Sequence, residues 1–378
     1  MSPDELAARL QRGDPTAILD VRNRDEFEAW HIDGQRVTAT QIPAIEFTQA
    51  DVLGTVSELA DQFRDAPKPV VVACGEGRAS ATVADLLSDA GVEAENLETG
   101  MEGWARVYRA REMEHDDATV LQYDRPSSGC LAYMVIVDDE AVVIDPLRTF
   151  ASRYVEDARE HGAEIVAAVD THVHADHVSG VRAVSELADA PAVVPVGAVD
   201  RGLDFDARLV EDGDTISVGD AELVAVHAPG HTSEMTAYRL GDLRFVGDSL
   251  FLESVARPDL EDGDAGAPAA ARRLYETLRE RYGEFDGGTR IAPGHYSEQA
   301  ESNDNSVYVA TLDALRNQLD ALSMDEDEFV SFVLDDMPPR PTNYERIIDT
   351  NLGRDSLADD EAFEVELGPN NCAATASD

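Results

Sequence analysis

The segment EIVAAVDTHVHADHVSG, residues 164–180, constrains this chain more than any other. Its first half is an apolar run of strand length, and its second half sets His172, His174, Asp176 and His177 within six positions. A buried strand that empties into imidazoles and a carboxylate delivers several ligands to one point, and these donors suit zinc or iron(II). Three later turns each add one donor after an apolar run: His231 in APGHTSEM, Asp248 in FVGDSLF and His295 in IAPGHY. His227 lies off this pattern and reads as structural, and His31, His115 and His161 lack ligand spacing.

A chain of 378 residues is long enough for two domains and a tail. TAILDV (16–21) and PVVVAC (69–74) read as buried strands, and ASATVADLLSDAG (79–91) as a helix closed by Gly91. Strand alternating with helix predicts an α/β domain over residues 1–111, a parallel sheet flanked by helices. The charged stretch ARVYRAREMEHDDAT reads as a junction. A second series of strands, LAYMVIV, AVVIDP, EIVAAVD, AELVAVHAPG and LRFVGDS, belongs to a domain over residues 112–300. Residues 301–378 read as an extension, helical over 306–333 and extended through MPPRPTNYERIIDTNLG and ELGPNNCAATASD.

Acidic residues outnumber basic ones by 77 to 30, for a formal charge of −47, and Lys68 is the sole lysine. Such a surface repels itself in dilute buffer, whereas molar salt shortens the screening length to about 3 Å. The acid is spread over the whole chain, so a high-salt cytoplasm is the expected setting. The charge argues against nucleic-acid binding. No apolar run reaches membrane-spanning length, and the N-terminus lacks a basic segment followed by an apolar one, so neither a membrane span nor a secretory signal is expected. Cys74, Cys130 and Cys372 make no disulfide framework and suit a reducing interior. A homodimer is the default expectation.

Cys74 ends a predicted buried strand and enters a glycine-bearing loop just before a helix. Successive amides and the helix N-terminus would stabilise a thiolate or a persulfide there. DVRNRDEFEAWHIDG (20–34), CGEGRAS (74–80) and LETGMEGW (97–104) occur in that order and together resemble the single-domain rhodanese pattern over about residues 3–108. Asp20, Arg22, Glu26, Phe27, His31 and Gly34 carry the first match, Cys74, Gly77 and Ser80 the second with Arg78 inside it, and Gly103 and Trp104 the third. The resemblance implies a sulfurtransferase in which Cys74 holds a sulfane sulfur as a persulfide, with Arg78 beside it. Glu76 departs from the basic loop of thiosulfate-using members and favours a thiol persulfide as donor.

The order His-x-His-x-Asp-His, then His231, Asp248 and His295, resembles the metallo-β-lactamase fold family over about residues 113–300. That implies an αββα sandwich with the metals at one edge between two sheets. Asp145 in AVVIDP matches the family's buried aspartate, which orients the ligand loop. Two ligand assignments stay open. In a dinuclear zinc hydrolase of the glyoxalase II type, His172, His174 and His231 would hold one ion. Asp176, His177 and His295 would hold the other, Asp248 would bridge, and activated water would attack a thioester.

The second assignment comes from persulfide dioxygenases, which GDSLFLESVARPDL (247–260) and SSGCLAYMVIVDDEAVVIDP (127–146) resemble. There one iron(II) binds per chain, and its triad carries over to His172, His231 and Asp248. His174, Asp176, His177 and His295 would then hydrogen-bond around it. Arg257 either holds an anionic group at the open side or pairs with Asp259. A rhodanese half favours this assignment, because one half would handle persulfide sulfur and the other oxidise a small thiol persulfide with O2 to sulfite and thiol. A third reading, a sulfur carrier or sensor with a structural metal, fits less well, since structural zinc sites are closed and often cysteine-rich. Cys130 reads as core, and Cys372 as an exposed thiol on a frayed end rather than an acceptor near the metal.

Overall fold

A computed structural model describes residues 1–297, 299–335, 337–368 and 372–374. They divide into two compact units, one of Met1–Tyr108 with Arg125–Ser128, the other of Arg109–Asp124 with the chain from Gly129 onward.

The first unit is built on a parallel sheet in the order Val37–Gln41, Thr16–Asp20, Val70–Ala73, Ala94–Asn96. The two central strands are buried throughout, which is why both read as continuous apolar runs. Their side chains alternate between faces. Leu19, Val70 and Val72 pack with Phe47, Val83 and Leu87 from the helices Ala44–Leu53 and Arg78–Asp89. Ile18 and Val71 pack with Leu6, Met101 and Trp104 from the helices Pro3–Gln11 and Gly100–Ala105 on the other face.

The second unit is a sandwich of two sheets with helices outside, as the αββα expectation holds. Among the described residues, one sheet runs Arg208–Val210, Ala192–Pro195, Glu164–Val169, Glu140–Ile144, Cys130–Val137, Thr119–Arg125, Arg109–Met113. The other runs Thr215–Val218, Ala221–His227, Thr236–Leu240, Leu243–Gly247, Arg290–Pro293, Ala310–Thr311. One apolar core lies between them, where the Tyr133 and Phe245 rings sit 4.9 Å apart. Ala221–His227, Leu243–Gly247 and Arg290–Pro293 run in the same direction, so the turns carrying His231, Asp248 and His295 emerge at one edge.

Two segments differ from the sequence expectation. The charged stretch after residue 105 contains the strand Arg109–Met113, paired among the described residues only with Thr119–Arg125, and an edge position tolerates the charges of Arg109, Arg111 and Glu112. The stretch 337–353, expected to be extended, carries the helix Tyr344–Asn351, and a further helix, Asp359–Val365, lies between it and the second expected extended stretch. The prolines of MPPRP mask this, since they disfavour helix only locally, and the helix that follows buries Ile347, Thr350 and Asn351.

Candidate metal centre and reactive thiol

Asp145 organises the ligand loop, as the resemblance implied. It sits at φ 51°, a left-handed conformation that aspartate tolerates better than most side chains. Its Oδ1 accepts the Thr171 amide at 2.6 Å and faces His174 Nε2 at 3.2 Å, while Oδ2 accepts the Thr171 hydroxyl at 2.9 Å. With its proton committed to Asp145, the Thr171 oxygen accepts from His172 Nδ1 at 2.9 Å. His231 Nδ1 likewise donates to the Arg257 carbonyl at 2.8 Å. Both imidazoles therefore carry their lone pair on Nε2. Burial, with His174 and His231 beside it, pushes His172 well below the usual imidazole range, and burial also lowers His231, so both are neutral donors.

His172 Nε2 and His231 Nε2 stand 3.9 and 3.8 Å from Asp248 Oδ2. Donors sharing one ion lie within about 4.2 Å of each other when each bond is about 2.1 Å, so this trio fits one metal. Among the described residues, His172 Nε2, His174 Nδ1, Asp176 Oδ1, His177 Nε2 and Asp248 Oδ2 are buried without a hydrogen-bond partner. Leaving such groups unmatched costs about 1–3 kcal/mol each, and ligating a cation removes that penalty for the donors that reach it.

His295 lies between two carboxylates. Its Nδ1 is 2.5 Å from Asp248 Oδ1, and its Nε2 is 2.7 Å from Asp176 Oδ2. Burial would push His295 down, but Asp248 and Asp176 outweigh it and hold the ring well above the usual range. Each His295 nitrogen thus faces a carboxylate oxygen, and Asp248 has its Oδ2 directed at His172 and His231.

A family model of the metallo-beta-lactamase superfamily matches residues 126–318, just over half of the chain. The chain belongs to the metallo-beta-lactamase superfamily. A rhodanese-like domain precedes that superfamily fold at residues 2–107. The human protein named "Persulfide dioxygenase ETHE1, mitochondrial" is 29% identical over 215 residues, 56% of this chain and 78% of that one. A hydroxyacylglutathione hydrolase from Xanthomonas campestris pv. campestris is 31% identical over 162 residues, 43% of this chain and 58% of that one. The crystal structure of ETHE1 from Myxococcus xanthus superposes with a TM-score of 0.54 at 23% identity, over 65% of this chain and 100% of that one. At that identity the likeness speaks for the superfamily fold alone.

Several residues around the superfamily site escaped the sequence reading. Cys130, expected as core, is buried and forms a backbone bridge with His295, and its Sγ lies 3.3 Å from Asp176 Oδ2. Cys130 Sγ and donor atoms of Asp176, His177 and His295 all fall within 4.8 Å of one another. Cys372, expected to be exposed, is fully buried and shares such a cluster with Asp248 and His295. Asn351 donates to the carbonyls of His174 and His177 at 3.0 and 2.9 Å and accepts the Ser179 amide at 2.8 Å. Glu234 accepts the Val173 amide at 2.9 Å and is held by Arg201 at 2.6 Å. Arg257 forms the salt bridge that was one of its two expected roles: its guanidinium lies against Asp259 at 2.7 Å and donates to the Pro339 carbonyl at 3.0 Å.

Cys74 follows the strand Val70–Ala73, and its Sγ accepts from the Gly77 amide and the Ser80 hydroxyl, both at 3.1 Å. Burial would raise the thiol, but the Ser80 hydroxyl and the loop amides outweigh it and hold Cys74 below the ordinary thiol value. The third rhodanese segment braces this loop, since Met101 and Glu102 donate to the carbonyls of Cys74 and Gly75 at 2.8 and 3.0 Å. A Cβ on Gly100, at φ 58°, would fall 2.1 Å from the Cys74 carbonyl oxygen, so only glycine fits. Arg78 opens the next helix, exposed and paired with Glu76 at 2.5 Å. Asp20 and Arg22 form a buried pair at 2.6 Å, a structural role.

Proposed function

We propose that the metal centre is a mononuclear iron site that oxidises the outer sulfur of a thiol persulfide with O2 to sulfite, in a chain whose rhodanese-like domain carries sulfane sulfur on Cys74. The observation that carries this reading is His295. With both nitrogens engaged by Asp248 and Asp176, it serves as a hydrogen-bonding support, and His172, His231 and Asp248 remain as two histidines and one carboxylate. That donor set is the one expected of non-haem iron(II) oxygenases, and iron would supply the electron-transfer chemistry that lets O2 react with sulfur. The chain's own residues do the positioning: Thr171 and the Arg257 carbonyl fix the two ring orientations, and His295 fixes the carboxylate. The likeness to a protein named persulfide dioxygenase supports the same reading. At Cys74, the thiolate would attack the outer sulfur of a small-thiol persulfide, break its S–S bond and release the small thiolate.

A dinuclear zinc thioester hydrolase is the second reading, favoured by the unpartnered His174 Nδ1, Asp176 Oδ1 and His177 Nε2. Metal content after anaerobic purification, with O2 uptake on glutathione persulfide, separates the two. One iron per chain with O2 consumed and sulfite formed supports the dioxygenase. Two zincs per chain without O2 uptake sinks it.

A further inference from the structure

Residues 372–374 lie along 254–257 beside the metal centre. Ala373 forms an antiparallel bridge with Ala256, the Ala374 amide donates to Val255 at 2.9 Å, and the Arg257 amide donates to the Cys372 carbonyl at 3.1 Å. The Ser254 hydroxyl donates to the Ala374 carbonyl. This clip buries Cys372 completely and sets its Sγ within 4.8 Å of donor atoms of Asp248 and His295. The same neighbourhood contains the unpartnered, fully buried Asp248 Oδ2. The clip is also continuous with the ligand scaffold, because Arg257 holds Cys372 through its amide and His231 through its carbonyl.

We propose that Cys372 is a sulfur-carrying residue that takes up a sulfane sulfur as a persulfide and presents it to His172, His231 and Asp248. The proposal rests on the persulfide-oxidising reading and names its substrate class, a persulfide borne by the chain itself. Cys372 Sγ stands beside Asp248 but outside the group formed by the triad. A further sulfur extends the side chain by an S–S bond of about 2.05 Å, a reach comparable to the gap between Cys372 and the donor atoms around Asp248. Loading occurs with the clip open, since the docked thiol is sealed from solvent. The thiolate attacks the outer sulfur of a small-thiol persulfide, the donor's S–S bond breaks, and the small thiolate leaves. On redocking, the outer sulfur loses four electrons to O2, and with one water the products are sulfite, two protons and the Cys372 thiol.

The test uses the full iron-loaded chain, treated with glutathione persulfide under nitrogen. Trypsin cleavage after Arg354 gives the peptide 355–378, whose one cysteine is Cys372. After alkylation, that peptide is expected to carry one extra sulfur atom, and admitting O2 should remove it with release of one sulfite. Cys372→Ser and Cys372→Ala should both keep their iron and lose the first-turnover sulfite. The inference is overturned if the peptide gains no sulfur, or keeps it under O2, while both variants form sulfite at the wild-type rate. If neither free nor peptide-borne persulfide consumes O2, the dioxygenase reading falls as well, and the two failures are told apart by sulfite formation.

Discussion

Replacing Ser80 by alanine removes one of the two 3.1 Å hydrogen bonds that reach the Cys74 sulfur. Thiolate accumulates as pH rises through the pKa of Cys74, which the loop holds below the ordinary thiol value against the effect of burial. Without Ser80 that midpoint moves up, and the thiolate fraction at neutral pH falls. Iodoacetamide labelling of Cys74, followed by peptide mass spectrometry across a pH series, should slow several-fold near neutrality in Ser80→Ala and recover at alkaline pH. An unshifted profile would make Ser80 a bystander to the thiol.

At the scale of elements, the helix Tyr344–Asn351 reaches the metal loop through one side chain. Asn351 bonds the backbone at His174, His177 and Ser179, so it fixes the stretch on which four candidate ligands ride. Asn351→Ala should weaken metal affinity about 10–100-fold, the usual effect of losing an outer support, with helix content retained. Competition against a chelator measures it, and unchanged affinity would show the clamp to be dispensable. This contact also marks where sequence reading stops. His172, His174, Asp176 and His177 share one loop, so spacing alone announces them, and the apolar runs before them place that loop at a strand end. Asn351, Glu234, Cys130 and Cys372 are single side chains brought in from separate elements, and no period or spacing connects them to the site residues they meet. The strands were legible where burial on both faces makes an unbroken apolar run, as in Val70–Ala73. The charged edge strand Arg109–Met113 was not, because edge pairing asks little of its side chains.

For the whole molecule, two linked equilibria follow. A metal bound only by the folded second unit stabilises that unit by mass action, and His172 Nε2 and Asp248 Oδ2 are among the buried, partnerless donor atoms it would satisfy. Chelation should therefore lower the calorimetric transition of the metal-bearing unit and leave the rhodanese-like transition in place; a shift of both together would contradict this. The charge of −47 acts on both units. Raising KCl from about 0.1 M to about 1 M shortens the screening length from about 10 Å to about 3 Å, so both transitions should rise with salt. Chemical denaturation at several salt concentrations checks it, and a flat response would mean that self-repulsion is already relieved within the folded surface. The Asn351 clamp has a consequence in time as well. A ribosome that has just added Asp248 has made every residue of the triad, yet Asn351 lies 103 positions further on. At roughly 5–20 residues per second, some 5–20 seconds of synthesis separate a complete ligand set from a complete ligand loop. Metal capture in its final geometry is therefore a late event in the birth of each chain, and a chain stalled in that interval holds the ligands without the brace that aligns them.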